Sequence, residues 1–153
     1  MSKPRLLVSA CLLGAYCRYN GEKRMFPGVC ELMQWAELIP VCPETLGGLP
    51  TPRLPAERRG DQVINSEGGD VTLHYARGAE ETLRLAQLFG ARVALLKERS
   101  PSCGAGEIYD GSFAHVRIPG DGVTAQRLKE NGVAVYGESR IGELMEYLKG
   151  EEK

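Results

Sequence analysis

Arg5-Leu6-Leu7-Val8-Ser9-Ala10-Cys11 is a short apolar run with a thiol just past its end. Two more runs share that design. Ile39-Pro40-Val41-Cys42-Pro43 carries its thiol at the end of the run, and Arg92–Leu96 closes on Val-Ala-Leu-Leu, with Cys103 beyond a short polar stretch. Brief, mostly unalternating apolar runs are what strands covered on both faces require. As neighbouring parallel strands, the three would open Cys11, Cys42 and Cys103 onto one edge of one sheet. That edge is where open α/β folds put their ligands.

Outward from these runs the apolar period becomes helical. Val29, Leu32, Met33 and Ala36 recur at that spacing, as do Ala76, Ala79, Leu83 and Ala86, and again Ile141, Leu144, Met145 and Leu148. Asp70 is placed to cap the second of these helices and Gly90 to end it, and a shorter helix is expected from Asp121–Gly122 to Asn131–Gly132. Strands are expected at Leu6–Ala10, Leu38–Cys42, Arg92–Leu96 and Val133–Tyr136. The alternation predicts an α/β fold, a single-domain three-layer sandwich over residues 1–153 with a doubly wound, mainly parallel sheet.

The connections are asymmetric. Helix-to-strand links are a residue or two, whereas the strand-to-helix links run through Cys11–Gly28, Pro43–Asp70 and Lys97–Asp121. Irregular loops beyond ~15 residues are uncommon in compact domains and are usually functional or disordered. Their density of Gly, Pro and Cys points to ordered irregular structure, all of it leaving one sheet edge.

Composition narrows the function classes. A chain of 153 residues buries roughly 70% of its unfolded surface and folds without disulfide staples. A net charge of −1 provides no basic face for duplex nucleic acid. No run reaches transmembrane length, and Met1–Gly14 lacks the apolar core and cleavage site of an export signal, so no membrane association and a cytoplasmic location are expected. In that reducing setting, five cysteines read as metal ligands, reactive thiols or small core residues.

No C-x-x-C pair occurs, which argues against zinc ribbons, thioredoxin-like motifs and ferredoxin-type clusters. Cys30 falls within an expected helix and reads as a buried small residue, and Cys17 as structural packing of the first loop, with a fourth-ligand role as its alternative. Cys11, Cys42 and Cys103 each stand among loop-forming residues that hold a thiol's direction, as a preorganised metal site requires. His74 and His115 lie outside the cysteine loops and read as ordinary side chains. Three thiolates without histidine favour an iron–sulfur cluster over zinc.

The motifs around these residues are distinctive: SACLLG at Ser9–Gly14, CRYNG at Cys17–Gly21, PVCPETLGGLPTPR at Pro40–Arg53, KERSPSCG at Lys97–Gly104 and IYDGSF at Ile108–Phe113, with DVT at Asp70–Thr72 and GVTAQRL at Gly122–Leu128. From Arg5 to about Glu138 the chain resembles the thiouracil desulfidase family. The resemblance implies a 4Fe-4S cluster held by Cys11, Cys42 and Cys103, with a fourth iron free to take the sulfur of a thiolated uracil base or nucleotide. It implies a non-redox hydrolysis in which water replaces that sulfur and sulfide leaves. It also assigns catalytic roles to Glu44 and Ser100. Asn20 departs from the aspartate that the family carries in CRYNG.

The residues suit that chemistry. Glu44, two positions beyond Cys42, is expected to be the general base for water. Ser100 would donate a hydrogen bond or relay a proton, with a turn cap as its other reading. Arg53, on the stiff Gly47–Arg53 loop, is expected to reach the small-molecule thiolated pyrimidine through its planar fork, with an ion pair as the alternative. Ser102 is read as a second substrate contact. A non-catalytic protein holding structural zinc, or a redox carrier or sensor holding a cluster, stays open on the residues alone.

Overall fold

The computed structural model describes residues 3–151. In chain order, β1 (Arg5–Ser9) is followed by a 3-10 turn at Val29–Gln34, β2 (Glu37–Val41) and the one-turn helix α1 (Pro43–Leu46). A hairpin of β3 (Ala56–Arg59) and β4 (Gln62–Asn65) leads into α2 (Thr72–Phe89) and β5 (Val93–Leu96). A second hairpin, β6 (Glu107–Tyr109) and β7 (Arg117–Pro119), precedes α3 (Val123–Glu130), β8 (Ala134–Gly137) and α4 (Ile141–Glu151).

The central sheet runs β2-β1-β5-β8 with every pair parallel. Leu7 lies level with Ile39 on one side and Ala94 on the other, so three apolar runs are in register across the middle of the molecule. Alternate residues face opposite layers. Leu7, Ala94, Leu96 and Val135 pack with Leu83 and Ala86 of α2 and Leu128 of α3. Leu6, Val8, Val93 and Leu95 pack with Leu144 and Leu148 of α4 and with Val29 and Leu32. Leu6, Leu7, Val8, Leu95 and Leu96 are fully buried, each such side chain contributing ~1.5–3 kcal/mol. The expected three-layer, doubly wound α/β architecture is the one found. Among the described residues no helix is long and apolar enough to cross a membrane.

The expected helix over Val29–Ala36 is instead 3-10, entered through Gly28 at φ 88°. In a 3-10 turn residues three apart eclipse, so Val29 and Leu32 both reach the sheet while Met33 is exposed. Cys30 is turned outward too, with its sulfur 3.3 Å from Met25 Sδ, so its expected burial is overturned. α2 begins two residues after Asp70, whose Oδ1 accepts the Thr72 N–H at 2.9 Å, and ends as expected at Gly90 in the left-handed region. The two long loops after β2 and β5 hold the two hairpins, which were expected to be irregular.

α1 packs against α2 through glycine. A Cβ on Gly78 would run into the Pro43 carbonyl, and one on Gly47 into the His74 carbonyl. This close approach explains a glycine in the middle of α2, where it costs ~1 kcal/mol relative to alanine. Gly78→Ala should therefore destabilise the fold by ~1–3 kcal/mol despite its better helix propensity. The urea midpoint would fall with the slope unchanged.

Candidate metal centre

In a parallel order of this kind, the chain leaves β1 in one direction for β2 and later returns on the other side for β5. The crevice beyond the carboxyl ends of β1 and β5 is thus the topological switch point. A cavity of about 480 Å³ opens there, and Cys11, Cys17, Cys42 and Cys103 all line it. Cys11 sits in the 3-10 turn Ala10–Leu12 immediately after β1. Cys42 follows β2 directly as the N-cap residue of α1, and Pro43 pre-sets the helical φ behind it. Cys103 lies in a turn closed by the Gly104 N–H donating to Ser100 O at 2.9 Å.

All four thiols are free. The Cys17 thiol hydrogen-bonds to Cys11 and lowers it. It does the same to Cys42, which is pushed down to about 6 with help from the Thr45 hydroxyl and backbone. Those same bonds push Cys17 up. Burial pushes Cys103 up, opposed by a hydrogen bond from Ser9. Among the described residues no three His, Cys, Asp or Glu side chains are grouped to hold a single metal ion. Soft donors spread round a wide cavity instead suit an iron–sulfur cluster, whose ligand sulfurs stand farther apart than those of a single ion. The donor set fits such a cluster.

Glu44, on α1, faces the same cavity. The Arg53 Nε donates to Glu44 Oε2 at 2.8 Å and Nη2 approaches the same oxygen at 2.6 Å. The two side chains are only 7% and 14% exposed, so this is no solvent-screened surface pair. Ser100 Oγ stands 3.3 Å from Oε1, positioned to donate to it. Ser100 also accepts the N–H groups of Ser102 and Cys103 at 3.1 Å, which directs its hydroxyl proton toward Glu44. The turn cap and the contact with Glu44 are both present in this one residue. Tyr75, buried on α2, lies near Glu44, and burial followed by the Glu44 charge pushes its phenol up. Glu44 is thus held at Oε2 by Arg53 and at Oε1 by Ser100, with its side chain on the cavity wall.

The two residues expected to touch substrate are placed differently: Arg53 lines the cavity but is committed to protein partners, and Ser102 is not among the lining residues. Arg53 commits all three guanidinium nitrogens to the protein: Nε donates to Glu44, Nη1 to Pro50 O and Thr51 Oγ1 at 3.1 Å, and Nη2 to Cys17 O at 2.8 Å while pairing with the Glu44 carboxylate. It is the alternative ion-pair reading that fits, in a buried form that aims Glu44. Ser102 is fully buried, and its Oγ lies 2.8 Å from Thr124 Oγ1, tying the Cys103 turn to α3. Asn20 lies in an exposed turn, accepting the Glu22 N–H at 3.0 Å, and does not line the cavity.

Other wall residues lay outside the expected set. Lys97 lines the cavity with its ammonium 2.8 Å from the carboxylate of Glu138. Glu57 accepts the N–H groups of Gly111 and Phe113 at 3.0 and 3.1 Å, fastening the loop between β6 and β7 over the opening. Phe113 and His115, both at φ 60°, line the cavity from this loop. The Gly60-Asp61 turn between β3 and β4 was a readable hairpin signal. Nothing local to Tyr75 or His115 marked them.

The profile of the 2-thiouracil desulfurase family matches residues 6–140. YbbK of Bacillus subtilis, described as uncharacterized, is 41% identical over 150 residues, covering 92% of this chain and 99% of its own. The solved structure of TudS, a [4Fe-4S]-dependent thiouracil desulfidase, superposes with a TM-score of 0.90 at 44% identity, covering 96% of this chain and 99% of that one. With a cysteine-lined cavity at the switch point and a family match over most of its length, the chain belongs to the 2-thiouracil desulfurase family.

Proposed function

We infer that this protein is a 4Fe-4S-dependent desulfidase that replaces the thiocarbonyl sulfur of a thiolated uracil base or nucleotide with oxygen from water, releasing sulfide. Cys11, Cys42 and Cys103 are the ligands, and the reducing cytoplasm is the setting that keeps them competent. The observation that carries this reading is one short segment, Cys42–Glu44, which places a soft ligand and a restrained carboxylate on the same cavity wall.

A cluster held by three protein thiolates supplies an open, soft iron that favours sulfur over oxygen and polarises the C=S bond. The rest belongs to the protein. Arg53 holds Oε2 of Glu44, leaving Oε1 to take a proton from water. The water oxygen bonds to the ring carbon, the C–S bond breaks, and the sulfur departs as sulfide; the proton that Glu44 received passes to the sulfide, and water's second proton leaves the new carbonyl oxygen for the sulfide or the solvent. Ser100 keeps Oε1 aimed at the cavity. Phe113 offers an apolar wall from the loop that Glu57 fastens.

Tyr75→Phe removes the phenol beside this carboxylate, and a hydrogen bond to a charged group is typically worth ~1.5–3 kcal/mol. Turnover should fall roughly ten- to a hundredfold with iron content unchanged, measured as sulfide release under substrate saturation. The function itself is tested by anaerobic purification, iron and sulfide quantification, and sulfide release from 2-thiouracil, 4-thiouracil and 4-thiouridine monophosphate. A full cluster with no release from any of them would overturn it.

The proximity of Cys17 favours one other reading, a closed four-thiolate site without an open iron. It predicts equal damage from loss of Cys17 and loss of Cys11.

A further inference from the structure

The three ligand sulfurs do not stand bare. Thr45, one turn past the N-cap of α1, folds its side chain back so that Oγ1 lies 3.2 Å from Cys42 Sγ, with the hydroxyl as donor. Ser9, buried at the end of β1, accepts the Lys97 N–H on its Oγ at 2.9 Å and lies beside Cys103, where it opposes the upward push of burial on that thiol. Cys11 receives its hydrogen bond from Cys17. Of these contacts, the Thr45 hydroxyl on Cys42 is a direct hydrogen bond, at 3.2 Å, to a ligand sulfur. Thr45 stands out because its side chain is exposed and could have been solvated by water instead.

Hydrogen bonds to ligand sulfurs are among the protein's levers on an iron–sulfur cluster. A donor withdraws electron density from a thiolate, which stabilises the more negatively charged reduced state and leaves the iron a better acceptor for a soft ligand. In a non-redox reaction such donors have a second consequence, since they set how near the cluster lies to reduction by its surroundings.

Building on the assignment of Cys11, Cys42 and Cys103 as ligands, we propose that Thr45 is a positioning residue whose hydroxyl hydrogen bond to Cys42 tunes the cluster's electron density and its reduction potential. The hydroxyl carries the effect, while the β-branched shape of the side chain does not.

The test uses anaerobically purified, cluster-loaded protein as wild type, Thr45→Val and Thr45→Ser, with iron and sulfide per chain measured first and the midpoint potential then read by spectroscopic redox titration. Val keeps the shape and removes the donor; Ser restores it. The expected result is a full cluster in all three. The Val variant should shift to more negative potential by an amount corresponding to a tenfold change in the oxidised-to-reduced ratio, about 59 mV for a one-electron couple, and Ser should lie at the wild-type value. Loss of the cluster from Val alone also supports the hydroxyl's role. Coincident midpoints for Val and wild type overturn the proposal while leaving the ligand assignment intact, and so does equal loss of cluster from Val and Ser. Retention of a full cluster by Cys42→Ala overturns the ligand assignment instead.

Discussion

Cys42→Ala should leave the protein folded but unable to retain iron, with sulfide release at background. Cys42 follows β2, the edge strand of the parallel sheet, directly and is the N-cap residue of α1, so its sulfur is placed by two elements that a methyl group does not disturb. Thiolate ligands define an iron–sulfur site, and losing one of three leaves two soft donors in a cavity open to water. Cys11→Ala and Cys103→Ala should behave alike, for their sulfurs come from the loops after the two strands that flank the switch point. Cys17→Ala is the informative contrast. It removes a hydrogen bond to Cys11 and Cys42 and should raise both thiols toward ordinary values. It should keep most of the iron after anaerobic reconstitution. Iron and acid-labile sulfide per folded chain decide the matter. Equal loss from Cys17→Ala and Cys11→Ala would establish four protein ligands and remove the open iron on which hydrolysis depends.

Glu44→Gln should lower turnover by ~100- to 10,000-fold, the usual worth of a positioned proton acceptor, with the cluster retained and its spectrum little changed. The amide keeps the volume and an oxygen for Arg53 but cannot take a proton from water. The substitution also carries a stability penalty. It leaves Arg53, 7% exposed, without its countercharge, and breaking a buried ion pair typically costs ~3–5 kcal/mol. Activity and a denaturant midpoint must therefore be measured on the same preparation. A midpoint that falls while turnover per loaded, folded chain stays at wild type would assign Glu44 to the frame of the site and its chemistry to another group. Arg53 and Tyr75 act through Glu44, so their variants should show smaller losses in turnover than Glu44→Gln.

Much of the architecture was legible because it rests on patterns that span only a few residues. Arg5–Ser9 and Val93–Leu96 are apolar on both faces, and only a central parallel strand buries both. α2 has its apolar stripe and its terminal Gly90, and Asp70, expected as its N-cap, stands one residue ahead of the actual N-cap Val71 and accepts the Thr72 N–H. The convergence of Cys11, Cys42 and Cys103 followed from strand direction and loop length, since in a parallel sheet every strand-to-helix loop leaves the same edge. The loop hairpins were less legible. β3 reads Ala-Glu-Arg-Arg, with no β-branched or aromatic residue, and is held by the bonds of Glu57 and Arg59 to the distant loop at Gly111–Phe113.

By itself, then, the order of residues determined the layered α/β fold, the sheet edge that carries the chemistry, and the thiols and carboxylate gathered there, because local periodicity and chain direction are written in adjacent positions. Only the tertiary structure decided which side of that line several side chains fall on. Cys17 joins the cavity while Cys30 faces solvent, Arg53 serves Glu44 and is fully engaged by the protein, Ser102 is sealed against Thr124, and Tyr75 enters from a helix far along the chain. Those outcomes depend on which partners meet when separate elements pack, and on buried donors and charges having to find acceptors and countercharges there.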